Sequence, residues 1–166
     1  ESGVDRGHIL PSGTRTANYV SNAATFFYTN MTAQSSELNQ GVWGKLEEKV
    51  RNFSETCDTL YVVTGSVLKT AEKPEISFVK DNDGKEVAKP QAYYKLVMKY
   101  DLESDSYKSI AFWYENRKYD NAEPVAADAK SVAWVEQQTG YTFFDNLPES
   151  IKKSVKEACV PSEWGL

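Results

Sequence analysis

Between Ser36 and Phe53 apolar residues recur every four positions, at Leu38, Val42, Leu46 and Val50. Only a helix lines such a series along one stripe, and Ser35 or Ser36 can cap its start. An adjoining stripe holds Asn39, Trp43, Glu47 and Arg51 at the same spacing. The predicted helix therefore carries an amide, a carboxylate and a guanidinium in register beside its apolar side. Elsewhere the pattern is that of strands. Residues 4–8 read as a short extended piece, 25–29 as a β-branched and aromatic strand, 60–68 as a strand broken at Gly65, and 76–80 as another. Asp81-Asn82-Asp83-Gly84 is a turn signal. Residues 93–100 and 107–114 predict an aromatic-rich hairpin, while 11–22 predict a loop. Helices are expected over 128–139, ending near Gly140, and from Pro148 to about Ala158. Strands mostly adjacent in sequence, with helices inserted and appended, make an α+β fold with a mainly antiparallel sheet.

A chain of 166 residues predicts a single domain with a sizeable core. No apolar run approaches the ~20 residues of a membrane span. With 19 Lys+Arg against 24 Asp+Glu the net charge is −5, which argues against holding nucleic acid by electrostatics alone. An acidic chain can still act on that polymer through a metal and a few arginines. Cys57 and Cys159 form no zinc pattern and stand as two reduced thiols or as one disulfide closing a loop of roughly 100 residues. The chain has no G-x-S-x-G, Cys/His nucleophile pair or P-loop sequence. The Tyr/Trp cluster over 93–119 reads as sheet packing, with a stacking platform for single strands as the alternative.

Three segments carry the chemistry. Asp5-Arg6-Gly7-His8 holds the chain's one histidine, Thr29-Asn30-Met31-Thr32-Ala33-Gln34 follows, and Asn39-x3-Trp43-x2-Leu46-Glu47 lies on the predicted helix. A D-R-G-H tetrapeptide alone arises by chance in roughly one chain of this length in a thousand. Together the segments resemble the DNA/RNA non-specific endonuclease family, the ββα-metal (His-Me finger) nucleases that include endonuclease G-like enzymes. Similarity extends loosely through Tyr61-Val62-Val63-Thr64-Gly65, Ala111-Phe112 and Val135-Glu136 to Leu147. Ala33 replaces the family's proline before Gln34.

The resemblance implies a metal-dependent hydrolase that cuts DNA and RNA without regard to sequence and leaves 5′-phosphates. His8 is its expected general base, since a neutral imidazole titrates near working pH. Asn39 is the expected direct ligand of Mg²⁺ or another divalent ion such as Mn²⁺, with Glu47 holding one of the metal's waters. Arg6 and Arg51 suit charge on a phosphate, although Arg51 could instead pair with Glu47 at i,i+4. Asn30 is expected to position the His8 loop, and Asp5 and Trp43 to support the site from behind. DNA and RNA are the expected substrates, with a homodimer or an inhibitor protein left open as partners. A bacterial secreted or periplasmic location is expected, as is a domain over 1–166 that lacks the family's N-terminal strand or strands. The alternative is a catalytically silent nucleic-acid-binding protein on the same fold.

Overall fold

The computed structural model describes residues 3–166. Its strands are β1 (Val4–His8), β2 (Met31–Ser35), β3 (Thr59–Val67), β4 (Ser77–Lys80), β5 (Glu86–Lys89), β6 (Ala92–Asp101), β7 (Ser106–Glu115) and β8 (Ala129–Lys130). The helices are α1 (Tyr19–Ala24), α2 (Ser36–Asn39), α3 (Val42–Phe53), α4 (Val132–Thr139) and α5 (Glu149–Glu157). Among the described residues all strand pairs are antiparallel. The main sheet runs β3-β6-β7-β8, and β1-β2 and β4-β5 form separate two-stranded pairs. The α+β expectation holds. Among the described residues no helix is long and apolar enough to cross a membrane.

Strand β6 is buried on both faces, so its two alternating residue sets pack on different helices. Tyr93 and Val97 join Ile110, Phe112 and Tyr114 of β7 against Leu38, Val42, Trp43, Leu46 and Val50. Tyr94 and Leu96 turn the other way, onto Val132 and Val135 of α4. The four-residue stripe thus buries as predicted, each large side chain contributing roughly 1.5–3 kcal/mol. The aromatic cluster over 93–119 is largely packing: Tyr93, Tyr94 and Tyr114 are all buried.

Several expected boundaries move. Residues 25–29 are not a strand. Thr25 closes α1, a 3₁₀ turn occupies Tyr28–Asn30, and pairing begins only at Met31. Side-chain hydrogen bonds override the β propensity here: Asn18 Oδ1 accepts from Ser21 N at 2.9 Å, and Thr25 Oγ1 donates to Asn22 O at 2.7 Å. The expected loop over 11–22 therefore contains most of a short helix. The long helix is two pieces, interrupted at Gln40 and Gly41. Gly65 does not break β3, because Gly65 pairs with Tyr94 in register and leaves room for that ring. The helix expected from residue 128 starts at Val132, capped by Ser131 accepting from Trp134 N. Its end at Gly140 is as expected, with φ +72°. Cys57 and Cys159 are both free thiols.

The small β1-β2 pair is fastened to the main sheet by polar side chains. Asn116 Oδ1 accepts from Ser35 N at 2.7 Å, and its Nδ2 donates to Ala33 O and Pro90 O at 3.0 and 2.9 Å. Thr32 and Tyr93 share a hydroxyl–hydroxyl bond of 2.9 Å. These contacts fix where β1 delivers its residues.

Candidate active site

At the start of β1, Asp5 collects three donors. Ser36 Oγ, Asn39 Nδ2 and Gln40 Nε2 donate to its carboxylate at 2.6, 2.9 and 2.8 Å. Burial pushes the Asp5 carboxyl up, but these bonds outweigh it and hold it below its ordinary value. The amide orientation of Asn39 follows from this contact. With Nδ2 committed to Asp5, Oδ1 is left as a neutral, hard oxygen donor.

His8 ends the same strand, three residues or about 10 Å along it. Its ring meets Phe26 edge-on, centroids 5.0 Å apart at 88°. Nε2 is buried with no hydrogen-bond partner among the described residues, so no acceptor there holds the ring's proton. Burial pushes the imidazole below its ordinary 6.5 and favours the neutral form.

The loop beyond His8 is pinned by Asn30. Its Oδ1 accepts from Leu10 N at 2.9 Å, while Nδ2 donates to Leu10 O and Thr25 O at 2.9 and 2.8 Å. Every polar atom of that amide is engaged with backbone, which leaves none for chemistry. Asn30 precedes β2 rather than riding on it.

Trp43, Glu47 and Arg51 project from successive turns of α3, whereas Asn39 belongs to the preceding helical turn, across the Gln40–Gly41 break. Trp43 is fully buried between Tyr93 and Tyr114. Burial raises the Glu47 carboxyl, opposed by Lys95, by Arg51 and least by the Trp43 indole, whose Nε1 makes no hydrogen bond with a described residue. The alternative i,i+4 ion pair of Arg51 with Glu47 does not form within 4 Å among the described residues. Arg51 instead reaches the loop after His8, where a Cβ at Gly13 would stand 3.2 Å from its Nη1. Arg6 lies over the Tyr28 ring at 5.3 Å and likewise has no described carboxylate partner. Among the candidate residues Asp5 binds Asn39 directly and Arg51 approaches the loop that follows His8, while Arg6 and His8 share β1 and Glu47 and Arg51 share α3.

Sequence reasoning assigned no role to two groups. Lys95 is buried, donates to Thr64 Oγ1 at 2.7 Å and lies 5.0 Å from the Trp43 ring. Burial lowers its ammonium to about 8, with Glu47 opposing and Arg51 assisting. The signal was available, because strand alternation puts Lys95 between the inward Tyr93 and Val97. Gln34 is fully buried with both amide atoms unpartnered among the described residues. It explains Gly7, where any Cβ would collide with Gln34 Oε1 and lie 2.6 Å from Gln34 Cβ. Gly7→Ala is expected to cost about 1–3 kcal/mol through overpacking. Thermal unfolding should show a fall of several degrees; an unchanged midpoint would mean the Gln34 side chain moves aside freely.

Two antiparallel strands leading into a helix, with histidine on the first strand and asparagine and glutamate on the helical segment, define a ββα-metal fold. The chain belongs to the DNA/RNA non-specific endonuclease family, whose model matches residues 1–150. It is 34% identical to a nuclease of Nostoc sp. over 93% of this chain and 56% of that protein. It is also 29% identical to mitochondrial nuclease EXOG of Danio rerio, over 96% of this chain and 47% of that one. A crystal structure of an EndoG/EndoGI complex superposes with TM-score 0.73 at 26% identity, covering 89% of this chain and 62% of that one. The chain therefore spans about half the length of the curated relatives it matches.

Proposed function

We propose that this chain is the catalytic part of a divalent-metal-dependent nuclease that hydrolyses DNA and RNA without sequence preference, leaving 5′-phosphates, with His8 as general base. The observation that carries the reading is the Asp5–Asn39 contact, which engages the amide nitrogen and leaves its neutral oxygen available, with the half-buried carboxylate of Glu47 on the helix that follows. That donor set fits a hard ion that keeps most of its waters, Mg²⁺ above all. Bound through Asn39 Oδ1, with Glu47 on one of its waters, such an ion would neutralise charge on the scissile phosphate and the departing 3′ oxygen.

The chain's own residues do the rest. Neutral His8 takes the proton of the attacking water; with Nε2 turned into the protein, Nδ1 is assigned that task. Arg6 and Arg51, free of described carboxylate partners, contact phosphate oxygens, which guanidinium can grip two at a time. Asn30 keeps the His8 loop in place, and Asp5 keeps Asn39 oriented. Lys95 places a buried positive charge behind Glu47.

Incubation of plasmid and total RNA with Mg²⁺, with Mn²⁺ and with EDTA tests the reading. Loss of both substrates with metal, and neither with EDTA, is expected. Cleavage that persists in EDTA would overturn the metal assignment. Binding without any turnover would instead favour a silent nucleic-acid-binding protein.

A further inference from the structure

The segment from Leu10 to Tyr28 is held by a few of its polar side chains: Asn22 Nδ2 donates to Ser12 O at 3.0 Å, Asn18 caps α1, and Thr25, almost fully buried, donates to Asn22 O at 2.7 Å. Its large apolar side chains point outward. Tyr19 is 86% exposed, Tyr28 74%, Phe27 65% and Phe26 54%. Apolar exposure this concentrated marks a contact surface, and the bonds of Asn18, Asn22 and Thr25 set the backbone that carries it.

Its position says what that surface meets. Phe26 touches the His8 ring, and Tyr28 lies beneath the Arg6 guanidinium; Phe27 stands between them in the chain, and Tyr19 opens the helix that leads to them. Between Leu10 and Tyr28 there is no acidic residue and one basic residue, Arg15, in a chain of net charge −5. A polyanion is favoured over an acidic second copy of the chain. Aromatic faces stack nucleobases regardless of sequence, provided the bases are not already stacked in a duplex.

We infer that Tyr19, Phe27 and Tyr28 form a stacking platform for unpaired nucleobases next to the phosphate held at His8. The inference deepens the nuclease reading and rests on it for the location of that phosphate. It makes single strands and frayed ends better ligands than intact duplex.

The test uses Tyr19→Ala with Phe27→Ala, both outside the groups assigned to chemistry. Binding of a fluorescent single-stranded oligonucleotide in EDTA should weaken about ten-fold or more, with an unchanged dependence on salt because no phosphate contact is lost. With metal, KM on the oligonucleotide should rise similarly, while hydrolysis of bis(p-nitrophenyl) phosphate, which has no base, stays as in the parent protein. Abasic residues in the oligonucleotide should remove the difference between the two proteins. Unchanged binding would overturn the platform, as would equal loss on the base-free ester or a change in sedimentation mass, which would mark an interface between copies. Should the parent protein cleave nothing, the nuclease reading fails, and the binding arm alone still decides the platform.

Discussion

Replacing His8 by alanine is expected to lower cleavage of DNA and RNA by about 10²–10⁴-fold, the usual worth of a placed general base. The fold should survive, because the ring's one aromatic contact is with the exposed Phe26 and its Nε2 makes no described hydrogen bond. Nucleic-acid binding in EDTA should also survive, since Arg6 and Arg51 remain. Activity equal to the parent's would sink the assignment. The pH profile gives a second check. Burial disfavours the imidazolium, so the neutral base persists to lower pH than a free histidine, and a bound cation would extend this further. The acid limb of kcat/KM should lie below pH 6.5; a midpoint above that value would exclude His8 as the base. Near the same pH the folded chain binds fewer protons at His8 than the unfolded one, so this group's contribution to stability rises with pH.

The second large effect is expected at Asn39. Asn39→Ala removes the oxygen proposed for the metal and leaves the Asp5 carboxylate with two donors in place of three. Loss of a metal's one direct protein ligand should reduce metal-supported cleavage by about 10²-fold or more, since even outer partners are worth 10–100-fold. Asn39→Asp separates the two roles of the residue. It keeps an oxygen donor but sets a second carboxylate against Asp5 at the 2.9 Å now spanned by a hydrogen bond, so one of the two must take up a proton or move. Titration calorimetry with Mn²⁺ should show weakened binding in both variants. Affinity unchanged in Asn39→Ala would place the metal elsewhere.

The stripe of Leu38, Val42, Leu46 and Val50 could be read as a buried helix face because a period near four has one geometric solution. The hairpin over 93–114 was equally plain from alternation. The D-R-G-H, Asn and Asn/Trp/Glu segments pointed to the family through residue identity, and the family match over 1–150 bears that out. Errors fell where local side-chain bonds compete with propensity. Thr25-Phe26-Phe27-Tyr28-Thr29 has strand composition, but Asn22 and Asn30 hold its ends in turns and the aromatic rings face outward. A one-dimensional pattern shows that rings are present without showing which side of the backbone they occupy.

Sequence alone determined the family, the α+β class and the elements that carry most of the proposed site residues, because these depend on spacing and identity. Only the tertiary structure decided how they are held. It set the Asn39 amide against Asp5, sent Arg51 to Gly13 rather than to Glu47, buried Lys95 beneath Trp43, and crossed Gln34 over Gly7. Each of these joins residues distant in the chain or chooses among competing partners, and that choice depends on distances in space that no spacing along the chain encodes.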